Sequence, residues 1–73
     1  MTKRKHIKLV REGQFAAEVE IELIDSNEGW PPYLSLDDAY KLDEVREALR
    51  RGDIQRAQRL ARVFTLMPVE VER

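Results

Sequence analysis

The sequence predicts a small α+β domain of order β-β-α-α-β, a three-stranded antiparallel sheet with helices packed on one face. Three observations carry that expectation. Phe15, Ala17, Val19, Ile21 and Leu23 alternate with Ala16, Glu18, Glu20 and Glu22, the period of a strand with one buried face. Residues 36–51 repeat apolar side chains at helical spacing, as an amphipathic helix does. The run Val63-Phe64-Thr65-Leu66-Met67 is rich in β-branched and aromatic residues and reads as a strand returning to the first two.

The elements follow in order. Met1 to Lys5 form a basic N-terminal arm (residues 1–5). In the first strand Ile7 and Leu9 alternate with His6, Lys8 and Val10. Glu12-Gly13 marks a hairpin turn, where glycine supplies the positive φ. In the second strand Phe15, Ala17, Val19, Ile21 and Leu23 share one face, and Glu18, Glu20 and Glu22 take the other. The lysines of strand one are expected across from these glutamates. Residues 25–33 break both periods and form a loop around Gly29-Trp30-Pro31-Pro32-Tyr33.

Ser35 starts the first helix, with Asp38 completing a Ser-x-x-acid capping box. Asp37 and Asp38 also suit the positive end of the helix dipole. The apolar stripe has two parts. Leu36, Ala39 and Tyr40 come first, and Leu42, Val45, Ala48 and Leu49 follow slightly out of phase. That offset leaves open whether the helix from Leu36 to Arg51 is continuous or kinks near Leu42-Asp43. Gly52 stops it and Asp53 caps the next. Ile54, Ala57, Leu60 and Ala61 line one face of the second helix, with Arg56, Arg59 and Arg62 on its other faces. Pro68 lacks an amide donor and so marks an edge or the end of the third strand, and residues 70–73 read as a tail.

At 73 residues the chain has room for one domain, spanning 1–73. Hydrophobic residues at 42% permit a core, and charged residues at 37% imply a heavily charged surface. The absence of cysteine excludes disulfides, thiolate nucleophiles and cysteine-ligated zinc. It also favours a reducing, cytoplasmic compartment. No apolar run approaches the ~20 residues that span a bilayer. Charge is segmented. Residues 1–11 carry five Lys/Arg and no acid, and residues 12–47 carry eleven acids against Lys41 and Arg46. Residues 48–73 carry six arginines against three acids. Such segments either steer a partner or neutralise one another on folding.

Catalytic machinery is not expected. His6 is the sole histidine and stands beside Lys5 with no partner for base catalysis. Asp37-Asp38 and Asp43-Glu44 are adjacent helical pairs whose members do not face each other. Asp25-Ser26-Asn27-Glu28-Gly29 begins like a calcium loop, but Gly29 and Leu36 occupy the fifth and twelfth ligand positions. No metal and no cofactor are expected. Arg51-Gly52-Asp53 is a helix stop followed by a cap. A helix-turn-helix around Gly52 fits poorly, because Arg51, Asp53 and Gln58 stand where apolar packing is needed. The arginine row Arg50, Arg51, Arg56, Arg59 and Arg62, with the basic arm, can bind phosphates without reading bases.

Leu9-Val10-Arg11-Glu12-Gly13, Glu18 to Leu23, Gly29 to Leu36 and Tyr40-Lys41-Leu42-Asp43 together resemble a family of small uncharacterised bacterial proteins. The resemblance covers most of the chain and implies no activity. By analogy of size it points to antitoxin-like partners of small toxins. The expected function is a non-enzymatic protein-interaction module, self-associating or bound to a small toxin-like partner. Its expected partner-binding residues are Trp30, Pro31, Pro32, Tyr33, Arg56 and Arg59. The alternative is a nucleic-acid-associated regulator using the basic arm and arginine-rich helix.

Overall fold

The computed structural model describes residues 2–26 and 28–69. The chain runs β1 (Thr2–Glu12), β2 (Phe15–Asp25), β3 (Tyr33–Leu34), α1 (Leu36–Arg51), α2 (Ile54–Leu60) and β4 (Arg62–Thr65). The expected strand-strand-helix-helix-strand order holds, and the short β3 makes the sheet four-stranded. β2 lies at the centre. β1 pairs along one edge, and β3 and β4 share the other, all antiparallel. The expected tail, residues 70–73, lies outside the described residues.

Gly13 and Gln14 turn the hairpin. Gly13 takes φ +59, the left-handed first position of a two-residue turn that matches strand twist. The turn pairs Glu12 with Phe15 and so sets every later partner. Val10 meets Ala17, Lys8 meets Val19 and His6 meets Ile21. Opposed residues share a face. The apolar row of β2 therefore faces the helices together with Val10, Lys8, His6 and Arg4. Ile7 and Leu9 share the outer face with Glu20 and Glu18. Val10, Ala17, Val19 and Ile21 are buried, whereas Ile7 is 53% and Leu9 63% exposed.

Two expectations are corrected here. Lys3, Arg4 and Lys5 are not an arm, because they continue β1 opposite Ile24, Leu23 and Glu22. Of the lysines, Lys5 alone stands across from a glutamate, since Lys8 opposes Val19.

α1 runs unbroken from Leu36 to Arg51 through Leu42-Asp43. Ser35 Oγ accepts the Asp38 N–H at 3.1 Å. Leu42, Val45, Ala48 and Leu49 are buried in the core with β1 and β2. Leu36 and Tyr40 of the out-of-phase first stripe are exposed and lie off the buried face. At the other end Gly52 takes φ +76. Its N–H bonds Leu49 O at 3.1 Å, and the Asp53 N–H bonds Ala48 O at 2.8 Å, the double closure of a left-handed helix stop. Asp53 then caps α2 by accepting the Arg56 N–H, and Ala57 is buried.

Residues 19–22 of β2 fall between β4 and β3 and have no strand neighbour on that edge. α1 fills the gap. Asp38 Oδ2 accepts the Glu22 N–H at 2.8 Å, and Lys41 Nζ donates to Glu20 O at 2.7 Å. The acid expected in the capping box thus latches the helix to the sheet.

Leu49→Ala should cost about 2–5 kcal/mol in urea unfolding, and Leu9→Ala about 0.5 kcal/mol or less; equal costs would contradict the facing of β1. Asp38→Ala should cost about 1–2 kcal/mol and speed hydrogen exchange at the Glu22 amide more than at neighbouring β2 amides.

Candidate functional site

The loop before β3 ends in a small strand that fixes its direction. Leu34 opposes Leu23 and packs against the core. Tyr33 opposes Ile24 and, by strand alternation, takes the other face. Two prolines precede it, each with φ locked by its ring. Trp30 is 68% and Tyr33 48% exposed, and Pro31 and Pro32 are exposed as well. The sequence left open whether Trp30 and Tyr33 cover the core or face solvent; they face solvent. Leu36 and Tyr40, one helical turn apart at the start of α1, add two further exposed apolar side chains. This is the aromatic end of the molecule.

Arg56 and Arg59 lie elsewhere, on α2. α1 connects β3 to α2 and is about 24 Å long at helical rise, so the two groups of expected partner-binding residues do not form one surface. Arg56 Nε donates to Glu44 Oε1 at 3.0 Å. The hydrogen bond and then the charge of Glu44, with a smaller contribution from Asp53, hold the Arg56 guanidinium above its usual pKa. Arg59 makes no ion pair among the described residues. It lines an open groove of about 450 Å³ with Glu44, Asp53, Gln55, Arg56 and Leu60.

Folding pairs the charge segments. Eight ion pairs join the described residues, and each uses an acid from residues 12–47. Arg4 reaches Asp25 at 2.8 Å, Arg50 reaches Glu12 at 3.6 Å, and Arg62 reaches Glu18 at 3.9 Å. Arg62 also stacks over Phe64, 5.4 Å from the ring centre. Arg51 and Arg50 share Glu47. Most of the arginine row is therefore matched.

The candidate acid and base groups do not converge. His6 is exposed on β1 opposite Ile21. Asp38 holds the Glu22 amide, Asp43 pairs with Arg46, and Glu44 pairs with Arg56. Among the described residues, no three His, Asp or Glu side chains gather closely enough to hold a metal ion. No helix of the described residues is long and apolar enough to cross a membrane. The sequence reading named the sheet edge as one possible interaction surface without placing it; the edge that carries the basic run from Lys3 to Arg11 is β1.

No family model, curated protein or solved structure matches this chain, so its functional reading rests on its own residues and their geometry.

Trp30 is the sole tryptophan. Its fluorescence should be that of an indole in water, with acrylamide quenching close to that of the urea-unfolded chain. A blue-shifted, protected emission from the isolated chain would mean that the aromatic end is covered.

Proposed function

We propose that this chain is a non-enzymatic protein-interaction module anchored at its aromatic end. The observation that carries the reading is the exposure of Trp30 and Tyr33 on a frame stiffened by Pro31 and Pro32 and fixed by β3. Trp and Tyr are enriched among residues that dominate binding energy. An anchor already held in place loses little entropy on binding.

The occupant of the aromatic end is another protein, a second copy or a small toxin-like partner, in a reducing cytoplasm. The alternative, a nucleic-acid-associated regulator, has weaker support. Arg50, Arg51, Arg56 and Arg62 each already engage a carboxylate, and the basic arm is a strand.

A tagged pull-down from nuclease-treated native lysate, with the eluate's mass measured by light scattering, identifies the occupant. The paired variant Trp30→Ala with Tyr33→Ala should weaken that complex by about 2 kcal/mol or more per anchor, roughly thirtyfold each. Unchanged affinity in a folded double variant would remove the aromatic end as the anchor.

A further inference from the structure

β1 is an edge strand. Its residues pair with β2 on one side, and among the described residues no strand pairs with the other. An antiparallel ladder alternates, and in every second opposed pair both residues turn their backbone groups away from each other. Glu20 and Glu22 turn theirs away from β1, toward Lys41 and Asp38. Their partners Ile7 and Lys5 therefore turn theirs into the free edge. By the same alternation so do Lys3, Leu9 and Arg11. From Lys3 to Arg11 this is a hydrogen-bonding template about 27 Å long.

The side chains define what fits it. On the outer face Lys3, Lys5 and Arg11 flank the exposed Ile7 and Leu9. On the helix face Arg4, His6 and Lys8 are exposed too. Arg4 and Lys5 are matched by Asp25 and Glu20, whereas Lys3, Lys8 and Arg11 make no ion pair among the described residues. β2, the strand that does pair with β1, carries the complement, with Glu18, Glu20 and Glu22 interleaved with Val19 and Ile21. Two copies of β1 side by side would set cations beside cations, which is unfavourable. A nucleic-acid backbone meets the cations but offers no matching repeat of N–H and C=O groups, and no aliphatic cover for Ile7 and Leu9.

We infer that the free edge of β1 accepts an extended acidic strand from a different protein. The incoming backbone continues the sheet, its carboxylates meet Lys3, Lys8 and Arg11, and its apolar side chains cover Ile7 and Leu9. Main-chain bonds give affinity in such strand addition, and side chains give selection. The edge lies across the sheet from β3, so the inference stands independently of the aromatic end.

The test is a titration of the isotope-labelled full chain, followed by amide NMR and hydrogen exchange, with a capped peptide that carries valines at the positions opposite Ile7 and Leu9 and glutamates at those opposite Lys3, Lys8 and Arg11. Slowed exchange at the amides of Lys3, Lys5, Ile7, Leu9 and Arg11 is the expected result, with no response to the valine–lysine counterpart. Binding should fall with added salt. Reversing Lys3, Lys8 and Arg11 to glutamate should weaken it about tenfold or more. Ile7→Pro is the second variant, because it removes an edge-facing N–H without touching the ladder to β2, and a folded Ile7→Pro chain should lose the peptide. Three outcomes would overturn the inference. They are no protection of these amides at any peptide concentration, protection in the free chain that rises with its own concentration, or tighter binding of a mixed-sequence oligonucleotide to the same residues.

Discussion

The two-residue turn at Gly13-Gln14 is the constraint on which the rest depends. It sets the parity of the hairpin, and parity decides which side chains meet. With Glu12 opposite Phe15, the apolar row of β2 receives Val10 from β1 but not Ile7 or Leu9. One residue more or less in the turn would invert that choice. The same parity aims the backbone groups of Glu20 and Glu22 away from β1, where Lys41 and Asp38 of α1 meet them. The turn thus fixes the buried face, the outer face, and the edge on which the helix is latched.

The charged residues follow from that geometry. Each ion pair among the described residues draws its acid from the middle of the chain, and its cation from the ends or from α1 itself. Exposed pairs of this kind contribute little to stability individually. Their larger consequence is which charges remain. Lys3, Lys8 and Arg11 stay unmatched on one strand, while Asp37 and Glu22 stay near the start of α1. A chain close to neutral in sum folds into one with a positive edge, and such a distribution orients an approaching partner.

Much of the fold was legible because its signals are periodic and local. The alternation of β2, the cap at Ser35 and the Gly52-Asp53 relay each report a conformation that those residues alone favour. What was not legible depends on phase or on distance. Alternation in Ile7 and Leu9 gives the period of β1 but not which face it presents, because that is set by the turn. β3 has two residues and is too short to show any period. It exists because Leu34 meets Leu23 across the sheet. The offset in the α1 stripe was visible, but whether it meant a kink or a second face depended on what covers Leu36 and Tyr40. Of the site, the exposure of Trp30 and Tyr33 could not be read from composition, since both residues serve equally well in a core. Arg56 reads as a free cation until the fold brings Glu44 to it.

A last consequence concerns coverage. The molecule is 14 Å through its thinnest dimension, so a single helical layer lies over the sheet. One helix is about 10 Å across, roughly the width of two strands. Beside β3 or β4 the sheet is three strands wide, and at residues 19–22 of β2 it is two strands wide with α1 along the open edge. α1 takes the centre and α2 contacts β4, which leaves the stretch of β1 from Thr2 to Leu9 uncovered on both faces. A bare strand with open backbone groups is a template for any passing strand, and basic side chains limit what it admits. The residues that keep β1 from pairing with its own copy are the same ones that select an acidic strand. Solubility and selectivity at this edge therefore share one physical cause, the charge that α1 is too narrow to cover.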